Sequence, residues 1–410
     1  MKENIFVYAV CGSEKHIATF NFSLRHLKYF TGNPVIVVTD EARNKGKINH
    51  DNILNVPTPH SLTDKEASIW LKTRLPEIVP PGNTYCYLDS DVIAVSGRAA
   101  DVFMHFNPPV KFALDHCPSD EFSPWAVRCE CIERDREKHE RYLLLMNQYR
   151  QSEEKYIERN VPKREVSYKR FIHLRDVMTD FKWKTSITEK NIMLKYFLLL
   201  FRPYPYRFGT FLKRHGGYEW DRWKRRIYDT DGTLLYDDAD PYPDFTRFVE
   251  EHFAPEESRK ILAERKARDS FKVRCTHLHE SIRNKFNIPE PEPKWRHWNG
   301  GVFLFNETAK EFFETWHRFT LEIFSDPYWE KRDQGTLIAT VWKQGMQERN
   351  PLPEVFNFIA DYNSENLKFD PGNGFTRDNF STYIHPHLVH VYHHFGDKNW
   401  PVWKWIESLI

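Results

Sequence analysis

The chain has 410 residues, enough for one large or two ordinary domains with an ample core. Its 59 Lys and Arg offset 58 Asp and Glu, and a formal charge of +1 removes any global electrostatic case for nucleic acid. Aromatic residues make up 15% of the chain, which suits a protein that stacks on rings and equally one that is merely well packed.

The N-terminus runs almost directly into an apolar strand, Ile5–Val10, without the charged-apolar-small pattern of a signal peptide. No apolar run approaches bilayer length. The six cysteines include no C-x-x-C pair, and several fall inside predicted strands. The expectation is a reduced cytoplasmic protein, at most peripheral on the inner face of a membrane.

After Cys11-Gly12-Ser13, residues Ile17, Phe20, Leu24 and Leu27 recur at helical spacing, with Ser13 able to cap and Gly32 to stop the helix. Val35–Asp40 is a second strand ending in a carboxylate. Strand, helix and strand with continuous apolar strands imply a parallel sheet covered on both faces. Ligands of such sheets sit at the carboxyl ends of strands, which places Cys11, Thr39 and Asp40 at one edge. Thr63 and Glu66 form a capping box for a helix that carries Lys72 and Arg74 and stops at Pro76. Either cation could reach a phosphate or remain solvated.

Tyr85–Leu88 is an apolar run that ends in Asp89-Ser90-Asp91, and Val92–Val95 is another. In extended backbone, residues two apart project to one side, so Asp89 and Asp91 would face the same way. Two hard oxygen ligands so placed can hold Mg²⁺ or Mn²⁺ and leave positions for substrate phosphates. The copies Asp229-Thr230-Asp231 and Asp238-Ala239-Asp240 follow no apolar strand. Asp231-Gly232 between Ile227-Tyr228 and Leu234-Leu235 reads as a hairpin turn. Lys111–Asp115 is a further strand.

From Cys117 to Glu292 the character changes. The segment 130–159 reads as a long exposed charged helix, and Glu250–Ala267 as another. Ile192–Phe201 is apolar and stands among basic and aromatic residues over 182–226. That mixture fits either an interfacial segment on anionic lipid or the core helix of an inserted subdomain. Pro289–Pro293 is a stiff linker. Next come the paired glycines of Asn299-Gly300-Gly301-Val302, which allow close approach of a ligand or of backbone. Asp333-Gln334 opens a helix, where capping alone would explain an acid. Histidines 385, 387, 390, 393 and 394 crowd the tail. One or two could join the carboxylates on a metal, with the rest structural.

In this order the pieces resemble the family 8 glycosyltransferases, retaining enzymes of the GT-A fold. These pieces are Asp89/Asp91, Asn299-Gly300-Gly301-Val302, Asp333-Gln334, Leu352-Pro353-Glu354-Val355-Phe356-Asn357, and His393-His394-Phe395-Gly396 with Lys398 and Trp400. The resemblance covers about Ile5–Asp115 and Trp295–Trp403. It implies an α/β fold with a mixed, mostly parallel Rossmann-like sheet flanked by helices. Residues 1–116 would form the nucleotide-sugar half and 294–410 the catalytic half. Residues 117–293 would be a mainly helical insertion for acceptor, membrane or partner. Asp89, Asp91 and His393, or its rival His394, would bind Mn²⁺ (or Mg²⁺).

By the same resemblance Cys11, Thr39, Asp40, Lys72, Ser90, Gly301, Gly396 and Lys398 would surround the donor. Asn299, Asp333 and Gln334 would line its sugar and the reacting face. The implied activity moves a sugar from a nucleotide donor, most readily a UDP-sugar, to a glycan or lipid-linked hydroxyl. Gln334 is a poor nucleophile, which favours substitution on one face over a covalent intermediate. Two other readings stand beside it. One is a silent relative that binds a sugar or partner. The other is a sugar-nucleotide nucleotidyltransferase, for which Cys11–Lys15 is poor in glycine.

Overall fold

The computed structural model of the protein describes residues 2–160, 218–221, 226–229, 232, 234–237, 245–263, 273–360, 367–377 and 382–410. The chain divides into two compact units, Met1–Asp135 with Lys272–Ile410, and Arg136–Phe271. The second is narrower at both ends than the 117–293 segment expected from sequence.

The first unit is mixed α/β. β1 (Asn4–Ala9), β2 (Val35–Thr39), β3 (Ile53–Asn55) and β4 (Thr84–Leu88) run parallel. β5 (Val92–Ala94) leaves that sheet and β6 (Val110–Pro118) rejoins it. β7 (Tyr218–Asp221), β8 (Arg226–Asp229) and β9 (Leu234–Asp237) belong to the second unit. β10 (Arg296–Phe305) runs antiparallel between β4 and β6, giving the order β3-β2-β1-β4-β10-β6. β11 (Phe358–Ile359) is followed by the β12 (Lys368–Asp370) and β13 (Gly374–Thr376) pair, then β14 (Leu388–His390). A second sheet has the order β11-β14-β5.

Central strands buried on both faces read as unbroken apolar runs, and β2 and β4 are buried throughout. The helix Glu14–Phe30 covers one face, setting Ile17, Phe20, Leu24 and Leu27 against Phe6, Tyr8 and Val37. On the other face, Ala67, Trp70 and Leu71 of the helix Asp64–Thr73 meet Phe312, Phe313 and Trp316 of the helix Lys310–Phe324. Ser13 accepts the His16 N–H, and Thr63 with Glu66 completes the capping box. The second helix ends at Thr73 and not at Pro76. Proline lies in the first turn of a short helix, Leu75–Ile78, where no N–H is required of it.

In the second unit, Tyr142 and Tyr149 of the helix Cys131–Asn160 pack with Phe245, Val249 and Ile261. The single helix expected over 250–267 is instead Phe245–His252 and Pro255–Ala263, broken where Pro255 opens the second. β8 and β9 form the expected hairpin, with Gly232 at φ 83° between them. The apolar run 192–201 and most of 182–226 lie outside the described residues. Among the described residues, no helix is long and apolar enough to cross a membrane.

Candidate active site

β4 delivers Asp89 to the sheet edge, where the chain stops being extended. Asp89–Val92 is a turn closed by the Val92 N–H on the Asp89 carbonyl at 3.1 Å. The straight geometry expected from strand alternation is therefore replaced: curvature of the turn brings the two acids together. The Asp91 carbonyl accepts the Val391 N–H at 3.1 Å, and β14 lies antiparallel to β5 with His390 opposite Val92. That pairing carries the His390 imidazole to the turn. Ligand atoms of Asp89, Asp91 and His390 all lie within 4.8 Å of one another.

His390 is fully enclosed, and its Nδ1 lies 2.9 Å from Asn357 Oδ1. The Asn357 amide donates to Asn299 Oδ1 at 3.0 Å, which fixes Oδ1 of Asn357 as the acceptor. Nδ1 therefore carries a proton, and Nε2 faces Asp91 Oδ1 at 3.2 Å. At that position Nε2 can hold either a proton shared with Asp91 or, with its lone pair, a cation. Burial lowers the His390 basicity, but Asp91 outweighs it and the net shift is upward. Burial likewise raises Asp91, yet His390 pulls it below the usual range, while burial and the neighbouring acids raise Asp89 against the pull of Lys72. An imidazole nitrogen and two carboxylates turned to one point are the donor set a Mn²⁺-sized cation accepts.

Lys72, 5% exposed, sits behind this cluster. Its Nζ is 2.7 Å from Asp333 Oδ2 and 3.2 Å from Asp89 Oδ1, and it lies 5.0 Å from the Tyr87 ring centre. The Tyr87 hydroxyl donates to Asp89 Oδ1 at 2.5 Å. Burial would pull the ammonium down, but Asp333 and Asp89 outweigh it and raise it. Lys72 thus ties the acid turn to the helix Asp333–Lys343. Asp333 spends its carboxylate on this ammonium and caps nothing, since the helix has no side-chain cap. Gln334 is held at both ends of its amide: Oε1 accepts the Gly300 N–H at 3.0 Å, and Nε2 donates to the Trp298 carbonyl.

Gly300 and Gly301 fall where β10 slips against β6, between the pairings Asn299↔Ala113 and Phe303↔Phe112. A Cβ on Gly300 would stand 3.2 Å from Lys72 Nζ, and one on Gly301 would strike the His390 ring. Asn299, buried, is saturated. It donates to Asp115 Oδ2 and to the Tyr392 hydroxyl at 2.7 Å each, and accepts from Gly301 N–H at 2.8 Å and from Asn357. Burial works to raise Asp115, but His297, His116 and Asn299 hold it well below the usual carboxylate range.

The remaining expected residues divide into three groups. Ser90 Oγ lies 2.9 Å from His16 Nε2, and His16 Nδ1 lies 3.1 Å from the Cys11 carbonyl, so those two share the sheet edge. Thr39 Oγ1 accepts from Asn44 Nδ2 at 2.9 Å, and Asp40 accepts from Thr58 N and Oγ1 at 2.8 and 2.7 Å. His393 borders the cleft, while His394 turns to Asp397 at 3.3 Å, and Gly396 and Lys398 lie in the exposed loop before the helix Pro401–Glu407. The histidine seated between the acids is thus His390, not His393 or His394, because strand register and not proximity in sequence decides which ring reaches the turn. Asn357, in the Leu352–Asn357 motif, is the positioning residue that a list of motifs does not single out.

Lys72, Asp89, Asn299, Gly301, Asp333, Gln334, His390 and His393 line one cleft of about 520 Å³, whereas Cys11, Thr39, Asp40, Ser90, His394, Gly396 and Lys398 are not among its lining residues. Its lining also includes the cations Lys65 and Arg332 and the aromatic residues Phe122 and Trp125.

No protein-family model matches the chain, and no curated protein matches it. Among solved structures, the apo structure of WbbM, a bifunctional glycosyltransferase, is similar at a TM-score of 0.35 and 11% identity, over 100% of this chain and 51% of that one. The chain therefore spans about half the length of WbbM. A likeness that slight carries no argument about function, and the geometry of the cleft has to supply it.

Proposed function

We propose that the cleft binds a nucleotide-diphosphate sugar, first of all a UDP-sugar, with Mn²⁺ (or Mg²⁺), and transfers the sugar to a hydroxyl of a glycan or lipid-linked acceptor. On this reading the chain is a family 8-like glycosyltransferase of GT-A architecture. The observation that carries it is the convergence of Asp89, Asp91 and His390 on one point, with Asp89 and His390 lining the cleft. When bound there, a divalent cation would neutralise charge on the departing diphosphate. Lys65 and Arg332, both exposed on the cleft, add positive charge for phosphates. Lys72 is committed to Asp89 and Asp333, so its part is to hold those carboxylates in place.

Asp333 lines the cleft with its carboxylate paired to Lys72, so it would offer an oxygen dipole, not a free charge, to a glycosyl centre gaining positive character. Gln334, a neutral amide tied at both ends, is in no position to attack, and departure and attack on one face fit this arrangement better than a covalent intermediate. Phe122 and Trp125 offer apolar surface to a sugar ring or acceptor.

Calorimetry with UDP tests the reading. UDP should bind only with Mn²⁺ present, and Asp91→Asn should weaken that binding at least tenfold. Equal UDP affinity with and without Mn²⁺ would remove the reading. Tight metal-dependent binding without turnover across a panel of nucleotide sugars would leave a sugar-binding module.

A further inference from the structure

The second group of ligating side chains is remote from that chemistry in kind, since sulfur dominates it. Cys129 and Cys131 stand before the inserted segment in sequence, and Cys275 and His277 after it. All four belong to the first unit, and their ligand atoms lie within 4.8 Å of one another. Cys129 Sγ and Cys275 Sγ are 3.8 Å apart, and Cys131 Sγ and His277 Nδ1 are 3.6 Å apart. A disulfide needs about 2.05 Å between sulfurs, so these thiols are free. Tetrahedral zinc, with Zn–S about 2.3 Å and Zn–N about 2.0–2.1 Å, gives edges of about 3.8 Å between sulfurs and about 3.6 Å from sulfur to nitrogen. The observed edges match both.

We propose that Cys129, Cys131, Cys275 and His277 bind one zinc ion in a closed tetrahedral site. Three thiolates and an imidazole select zinc over the oxygen-seeking Mn²⁺ and Mg²⁺. Four protein ligands fill the tetrahedron and leave no position for a substrate, which makes the site structural. The surrounding groups are those that thiolates need. Arg134 Nη2 donates to Cys131 Sγ at 3.4 Å, offsetting the single negative charge that zinc leaves on three thiolates. Ser123 Oγ accepts the Leu278 N–H at 2.9 Å and lies 3.2 Å from Cys275 Sγ, so its own proton is free to point at the sulfur. The backbone N–H of Cys131 serves Cys129, and that of His277 serves Cys275, each two residues on. Two matching C-x-C and C-x-H pieces thus close on one centre. The ion would clamp the strands of chain that leave for residues 136–271 and return from them.

The test uses the full chain, purified with reductant and dialysed against EDTA to strip the carboxylate site. Elemental analysis should find one zinc per chain in the wild type and in Asp91→Asn, and none in Cys131→Ser or Cys275→Ser. A mercurial thiol reagent should release the zinc. Replacing zinc by cobalt should give thiolate-to-cobalt charge-transfer absorption and the intense visible bands of a tetrahedral site. That absorption cannot arise from Asp89, Asp91 and His390, so the wild type decides the matter even if the cysteine variants do not fold. Absence of both EDTA-resistant zinc and the cobalt bands, or a peptide map with Cys129 linked to Cys275, would overturn the proposal. Loss of UDP binding alone would not touch it.

Discussion

A methyl group on Gly301 has nowhere to go but into the His390 ring and the Asn299 amide. Gly301→Ala should therefore push His390 off the acid pair, weakening Mn²⁺ at least tenfold by calorimetry and lowering stability by about 1–3 kcal/mol. Asn357 acts at one remove. Asn357→Ala removes the acceptor that fixes the His390 tautomer and should reduce Mn²⁺ affinity about 10–100-fold. Asn357→Asp, which keeps an acceptor, should lose less. Unchanged Mn²⁺ affinity in Asn357→Ala would mean that His390 is not a ligand.

Two other histidines set the acid limit of the fold. His26 is buried and pushed down to about 4, burial outweighing its bond to the Ala94 carbonyl. His297 is likewise pushed down to about 4 by burial despite Asp115. Both lie below the unfolded value of about 6.5, so the unfolded chain binds more protons between these limits. The sign follows: stability is complete above about pH 6.5 and is lost as pH falls toward 4, by at most about 3 kcal/mol per group. Urea midpoints from pH 7 to 4.5 should show the decline, and His26→Gln should flatten it by about one proton. At this scale the sequence marked Asp89, Asp91, Asp333 and Gln334. The resemblance pointed to His393 or His394, whereas the register of β14 on β5 seats His390 beside the acids.

Elements were legible where their causes are local. The apolar runs of β1, β2 and β4 and the caps at Ser13 and Thr63 follow from neighbours a few residues apart. Thr63→Ala should cost about 1 kcal/mol in urea unfolding, because the Glu66 N–H then loses the Thr63 hydroxyl that accepts it. A cost near zero would mean that the Lys331–Glu66 ion pair at 2.7 Å holds that helix end by itself. The Asp89–Val92 turn and the slip at Gly300-Gly301 had no such local cause. Both depend on what β10 and β14 do from far along the chain. The glycine pair announced a close approach, but not that Lys72 and His390 would be the groups approaching.

At the level of the whole chain, the strand-helix-strand opening led correctly to a mostly parallel sheet within a mixed α/β unit. The limits of the inserted segment were less visible, since residues 117–135 share the charged character of the insertion but pack, like 273–293, with the first unit. Nor did the cysteine count speak for itself. The spacings C-x-C and C-x-H were present all along, and only the fold places them face to face.

The lodging of β14 against β5 also sets a timetable. As a nascent chain leaves the ribosome, Asp89 and Asp91 emerge long before His390, and the acids must wait for the tail. Until Leu388–His390 threads beside Val92–Ala94, the proposed centre lacks its third ligand, however well the rest has folded. Proteolytic clipping ahead of Leu388 would therefore remove the imidazole from the acid pair while leaving every strand of the six-stranded sheet in the chain.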